Sequence, residues 1–366
     1  MDLYIYDSID IKDHQKFRIT DYNPKSKVFL ALMDKDVVAF SREGELFRFN
    51  RYGQGPEEYQ FYNKEPEMNI KFKSDTTIEL NSYNYLKEYS ISGQFIQSIK
   101  IDDAPIYAKR EILGRHPVVD SVLIFSGDNT WGEEEYTEPD DKTYFEKTID
   151  NPEFFLLDLK TKQSKAYGYP EKESLVMVNK KSFHEYDPLS YFNKSKSTID
   201  LLTHPGAQIF RYDLNDLPNY EVIKLSPDHF TPPNFIDEDY FTDDYILNMI
   251  SDLVLNSLYT EFYSSNDTII TVYRPGVKEE ILNKELKDRK SDKSYLEVLA
   301  NHFALYLEYY IDNKKQTADI KIPKYCSVKY IGNKHNIILI NHKQELTINN
   351  NPIRRFYFAK IKRRVD

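Results

Sequence analysis

The chain has 366 residues, with 49 Lys and Arg against 59 Asp and Glu, a formal net charge of −10. That balance argues against a nucleic-acid-coating role, which needs a basic face to displace counterions. Mean hydropathy is −0.64 and the lone cysteine is Cys326, so neither a membrane-crossing run of roughly 18 to 20 apolar residues nor an internal disulfide framework is written here.

Thirty Tyr and 22 Phe give the chain enough apolar surface for a large core. Its first residues, Met1 to Tyr6, show no basic segment followed by an apolar one, so no secretory signal is legible in them. A hairpin pattern then recurs along the chain: a short apolar strand, a tight polar turn, and a second strand rich in β-branched and aromatic residues. In chain order the copies are Val28 to Met33 with Val37 to Phe40, Ile70 to Phe72 with Thr77 to Leu80, and Val118-Val119 with Val122 to Phe125. They continue as Tyr191-Phe192 with Thr198 to Leu202, Leu258 to Tyr263 with Thr268 to Tyr273, and Ser327 to Ile331 with Ile337 to Asn341.

In the first two copies the pattern extends further, because Ser41 to Phe47 aligns with Ser90 to Ile96 and places Gly44 and Gly93 49 residues apart. Each Gly is expected at the turn between a third and a fourth strand, where a positive φ costs a non-glycine residue dearly. Third strands elsewhere are expected at Phe154 to Leu159, Gln208 to Tyr212, Leu305 to Ile311 and Phe356 to Ile361. Four strands per unit and about 40 to 50 residues per unit is the period of a β-propeller blade.

Three insertions lengthen the units. Residues 128 to 150 hold nine acidic residues against Lys142 and Lys147, a local charge of −7. Residues 213 to 256 contain Pro218, Pro227, Pro232 and Pro233 before a helical stretch at Tyr245 to Leu255, and residues 277 to 290 read as a solvated helix. The expectation is an all-β chain, one six-bladed β-propeller domain over residues 1 to 366, with inserted loops and one or two short helices. A pair of β-sandwiches is the rival arrangement. The ring is expected to close by a strand from residues 2 to 20 pairing beside Phe356 to Ile361, since closure removes open sheet edges.

The fourth strand of the first unit runs into Arg51-Tyr52-Gly53-Gln54-Gly55-Pro56-Glu57-Glu58-Tyr59. A Gly-x-Gly-Pro-x-Glu-Tyr sequence at this place, carried by Gly53, Gly55, Pro56, Glu58 and Tyr59, resembles the NHL-like six-bladed propellers found widely as bacterial cell-envelope lipoproteins. The resemblance implies a propeller fold and an envelope address, periplasmic or surface-anchored; it implies no catalytic residue. Physically, the two Gly and the Pro read as a connection between blades, with Glu58 accepting backbone N–H bonds and Tyr59 packed beneath. The functional alternative puts Glu57 or Glu58 at the channel mouth as a ligand contact.

Catalytic motifs are absent: there is no phosphate loop with its Lys-Ser/Thr, no Gly-x-Ser-x-Gly elbow, and no His-Glu-x-x-His among the eight His. No cofactor or metal is therefore expected. Trp131, the sole Trp, sits in the acidic insertion and reads either as a platform for a sugar or peptide or as an anchor for its own loop. Arg115 and His116 precede the third hairpin and read either as axis-facing contacts or as a surface cap. The functional expectation is a non-catalytic binding or scaffold propeller of the cell envelope, its ligand a glycan or peptide, with an envelope protein as a further partner. The alternative is a metal-dependent propeller enzyme of the lactonase, hydrolase or lyase kind with its site on the channel axis.

Overall fold

The computed structural model describes the chain apart from residues 13–16, 24, 34, 61–69, 83–84, 101–111, 116–120, 127–148, 150–151, 169–170, 181–187, 204–205, 233–244, 287–290, 333–335, 342–345, 349–350 and 363–366. Six antiparallel sheets follow one another along the chain; in four of them the strands pair strictly in sequence order, while the fifth carries an extra short strand on its third strand and the sixth is closed by the N-terminal strand, with Leu346–Ile348 also paired to Asn351–Lys362. This is a six-bladed β-propeller. Blade 1 is built from Phe17–Asn23, Val28–Met33, Asp36–Ser41 and Gly44–Phe49; blade 2 from Ile70–Phe72, Thr77–Ser82, Tyr85–Ser90 and Phe95–Lys100. Blade 3 has Ile112–Arg115, Val122–Ser126, Phe154–Asp158 and Gln163–Tyr167, and blade 4 has Leu189–Asn193, Thr198–Thr203, Gln208–Asp213 and Tyr220–Lys224.

Blade 5 comprises Leu258–Ser265, Thr268–Arg274 and Tyr306–Ile311, with the short strands Lys314–Lys315 and Ile320–Lys321 both paired to the third. Blade 6 joins the two ends of the chain: Cys326–Gly332, Asn336–Asn341 and Asn351–Lys362 are completed by Asp2–Lys12 as the outermost strand. Asp2 lies opposite Lys362 and Lys12 opposite Ile353, so closure uses the strand expected from the sequence. Arg355 locks the pairing with two bonds to the Asp10 carboxylate, at 2.7 and 2.8 Å, and Arg42 reaches across from blade 1 to Asp7.

Alternation with period two explains how one strand serves two neighbours. In Val28–Met33, Val28, Leu30 and Leu32 pack toward blade 2 with Ile70, Ile78 and Leu80. Phe29 and Ala31 point the other way, into a core shared with Ile338, Ile340 and Phe356 of blade 6. Phe29 stacks on Phe40 with ring centroids 4.8 Å apart. Equivalent clusters fill the seams between blades 2 and 3, 3 and 4, 4 and 5, and 5 and 6, so the apolar faces of the inner strands are covered by the neighbouring sheet.

Gly44 and Gly93 occupy the expected turns before the fourth strands, with φ of +126° and +85°. A Cβ on Gly93 would also come within 2.4 Å of the Phe49 ring, which makes that site doubly intolerant of a side chain.

Three readings change. The hairpin Val28 to Phe40 is the second and third strand of its blade, because Phe17–Asn23 supplies the first; polar Thr20, Asp21 and Asn23 hid that strand. In the third copy the first strand is Ile112–Arg115, and Val118-Val119 lies outside the described residues. The stretch 277 to 290 forms a helix, α3, at Glu279–Leu286, but it buries Leu282 and Leu286 instead of standing free in solvent.

Four short helices are described where the sequence marked two. They are α1 (Leu175–Asn179), α2 (Tyr245–Leu255), α3 and α4 (Asp292–His302). The last three share a small core of Val254, Leu282, Leu286, Tyr295 and Val298 beside blade 5. A Ser291 side chain caps α4 by accepting the Ser294 N–H at 3.3 Å.

Candidate functional site

First strands of neighbouring blades touch one another around the axis at the seams between blades 1 and 2, 3 and 4, 4 and 5, 5 and 6, and 6 and 1. They enclose a cavity of about 520 Å³ whose wall draws on all six blades. Its geometry comes from a recurrent irregularity. The first strands of blades 1, 3, 5 and 6 each carry a β-bulge, which leaves Thr20, Leu113, Thr260 and Lys329 without a partner in the ladder. All four of these residues line the cavity. A bulge adds a residue to one strand and re-aims its side chain, so four blades have solved the problem of presenting a side chain to the axis in the same way.

Four charges share the wall: Asp21, Lys71, Glu261 and Lys329. Asp21 is held firmly. Its carboxylate accepts the N–H of Tyr22 and the N–H of Phe72, both at 2.8 Å, and so stitches the first strand of blade 1 to that of blade 2. Lys329 is exposed and, among the described residues, makes no hydrogen bond or ion pair.

Between the charges lie aromatic rings. Tyr191 stands edge-on to Phe262 and Tyr263, at 5.9 and 5.3 Å between centroids, and Tyr330 stands edge-on to Tyr22 at 5.3 Å. Burial, with smaller contributions from neighbouring tyrosines and Asp21, holds the Tyr191 and Tyr330 phenols far above their ordinary pKa. Both remain neutral hydroxyls through the physiological range.

Among the described residues no group of three or more His, Cys, Asp or Glu is placed to hold a metal ion. The wall offers two ammonium groups, two carboxylates, hydroxyls and ring faces. That set suits recognition of a polar, hydrogen-bonding ligand.

The sequence-derived residues fall elsewhere. Trp131 and His116 lie outside the described residues, and Arg115 ends the first strand of blade 3, two positions beyond Leu113. Glu57 and Glu58 sit in the connection between blades 1 and 2. The Glu57 side chain pairs with Arg51 at 2.9 Å, and its carbonyl accepts the Tyr89 hydroxyl at 2.9 Å. The Glu58 carboxylate accepts the Gly55 N–H at 2.8 Å.

Beneath that turn the buried Lys87 ammonium donates to the Pro56 carbonyl at 3.0 Å and to the Glu58 carbonyl. Burial lowers its pKa, yet the carbonyls stand in for the water it has lost. Tyr59 is fully buried; its hydroxyl, with its pKa pushed up to about 12 by burial, donates to the Lys35 carbonyl at 2.6 Å. A Cβ on Gly53 would meet the Glu58 carboxylate at 2.1 Å. Gly53, Gly55, Pro56, Glu58 and Tyr59 thus form one tightly bonded knot between two blades. Cys326 is buried in the first strand of blade 6, and burial raises its thiol pKa.

Sequence reasoning missed the axial residues because a bulge interrupts the alternation by which strand faces are read. A β-branched or long polar residue inside an apolar first strand, as at Thr20, Thr260 and Lys329, was the available signal.

No family model matches the chain and no curated protein is similar to it in sequence. Among solved structures it is similar to a member of the DUF4221 family from Bacteroides vulgatus, with a TM-score of 0.64 and 13% identity over 99% of this chain and 98% of that one. It is also similar to a Bacteroides fragilis protein classed by name as a candidate exported protein, with a TM-score of 0.52 and 12% identity over 99% and 96% of the two chains. At such identities the likeness is one of fold. Among the described residues no helix is long and apolar enough to cross a membrane.

Proposed function

We propose that this chain is a non-catalytic binding propeller of the bacterial cell envelope, with its ligand, a glycan or a peptide, seated in the axial cavity. The observation that carries the reading is the set of four bulges that turn Thr20, Leu113, Thr260 and Lys329 to the wall of one cavity. Bulges cost ladder hydrogen bonds; of the seven register shifts among the described residues, the three others lie on outer strand pairs, while these four each set a residue on the wall of one cavity, which is what a binding site needs. A volume of about 520 Å³ lies within the roughly 300 to 1,000 Å³ of small-molecule sites.

The envelope address rests on the name of the Bacteroides fragilis neighbour and on the resemblance of the Gly53 to Tyr59 segment to NHL-like lipoprotein propellers. Arg115, on the same strand as Leu113, His116 beside it, and Trp131 belong to the proposal as further ligand contacts. An envelope protein docked on the ring is compatible with the same role.

The test is a thermal-shift and calorimetric screen of oligosaccharides and short peptides against the wild type and Ser190→Trp, which fills the cavity wall. A ligand that raises the melting temperature of the wild type alone supports the axial site. Binding undiminished in a folded Ser190→Trp protein places the ligand elsewhere, and the reading fails.

A further inference from the structure

We infer that Lys329 sets the specificity of the axial cavity and that the ligand it admits is a sugar bearing a carboxylate. The inference rests on the axial binding reading and narrows it to one ligand class. Four residues reach the wall by the same bulge, but they are not equivalent. The Thr20 hydroxyl turns back to the Leu30 carbonyl and the Thr260 hydroxyl to the Val272 carbonyl, each at 3.4 Å, so both are engaged with their own second strands. Leu113 is apolar. Lys329 alone brings a charge to the bulge, and among the described residues its ammonium has no bonded partner. A cation held at a re-aimed position in a concave wall is a receptor for an anion.

The rest of the wall limits which anion. Asp21 and Glu261 face the same cavity as Lys71 and Lys329, so the four wall charges sum to zero, and a compact dianion such as a phosphate monoester meets two carboxylates for its two cations and is held less well than a monoanion. The two carboxylates are, however, good acceptors for neutral O–H donors. A monoanionic, hydroxyl-rich molecule satisfies both demands at once: its carboxylate meets Lys329 while its hydroxyls donate to Asp21 and Glu261. Tyr191 and Tyr330 add ring surface for the C–H face of a pyranose. A uronic acid unit has this combination; an acidic peptide has the carboxylate but lacks the array of hydroxyl donors.

Calorimetry with the full chain would compare di- and trisaccharides containing glucuronic or galacturonic acid, the same compounds as methyl esters, and acidic tripeptides, against wild type, Lys329→Met and Lys329→Arg. Methyl esterification removes the charge and keeps the shape. The expected result is binding of the acids about tenfold or more tighter than of the esters, the scale of one charge-assisted hydrogen bond, with the preference falling as salt rises. That preference vanishes in Lys329→Met and survives in Lys329→Arg. If Lys329→Met does not fold, the acid-to-ester ratio on the wild type decides alone. Equal affinity for acid and ester, or binding of the peptides only, overturns the uronate inference and leaves the axial site standing. No binding of any probe at millimolar concentration overturns both.

Discussion

Two buried acidic side chains in adjacent blades are satisfied in opposite ways. In blade 4, Asp200 is fully buried and faces Arg211 across the ladder, with two bonds of 2.9 and 2.8 Å from the guanidinium. Arg211 and Asn193 both reach on to the Ser264 hydroxyl of blade 5. In blade 5, Glu308 is equally buried, but it is bonded by three hydroxyls: Tyr310 at 2.5 Å, Thr271 at 2.8 Å and Tyr259 at 3.2 Å. Burial raises the Glu308 pKa, against the lowering effect of Tyr310 and Thr271, and nearby Asp319 adds to the rise. One carboxylate depends on a specific countercharge, the other on a cage of dipoles. The lesson is that the seam between these blades tolerates a charge only where the neighbouring strand supplies a matched partner, and that an unmatched carboxylate becomes sensitive to pH.

Replacing Arg211 by Met breaks the first arrangement most severely, because Asp200 is left buried without its cation. A loss of about 3 to 5 kcal/mol in urea unfolding is expected. The double variant Asp200→Leu with Arg211→Met removes both charges and should recover most of that loss, since apolar side chains of similar volume often match a buried pair. A double variant as unstable as Arg211→Met would mean that the pair contributes more than mutual compensation.

For Glu308 the expected effect is smaller and lies in the pH profile. Its raised pKa means the folded chain binds the proton more tightly than the unfolded chain. The stability contributed by protonation is fully present below the unfolded value and is lost as pH rises through the folded one. Melting of the wild type across this range should show that loss; Glu308→Gln, which keeps an acceptor for the hydroxyls, should flatten it. The smallest expected change is the stability of Glu308→Gln at neutral pH, within about 1 kcal/mol of the wild type. A slope that persists in Glu308→Gln would assign it to another group.

Much of the ring was legible in the sequence because its signals are local. The hairpins Leu258 to Tyr273 and Ser327 to Asn341, the Gly44 and Gly93 turns, and the closing strand beside Phe356 all follow from alternation and turn chemistry. The first strand Phe17–Asn23 was hidden by Thr20 and Asp21, whose polarity serves the axis and the stitch to blade 2. The candidate site was less legible for a related reason. Lys329 and Thr260 come together only through six blades folded in a ring and through bulges that shift register, and neither relation is written in any short stretch of chain. The pairing of Asp200 with Arg211 was equally silent, because it depends on which residues of two strands stand opposite each other.

Closure of blade 6 by Asp2–Lys12 against Asn351–Lys362 has a consequence for how the protein is made. Asp2 and Lys362, opposite each other in the finished ring, stand 362 − 2 = 360 residues apart in the chain, so the earlier strand is made well before its partner. At about 5 to 20 residues per second, it waits for roughly 20 to 70 seconds without the strand that completes it. Throughout that interval Tyr4, Ile5 and Tyr6, which stay exposed even in the finished ring, sit on an unpaired segment next to five blades in the course of assembly. Newly made chains therefore pass through an open ring with two unsatisfied edges, the state most exposed to pairing with a second nascent chain.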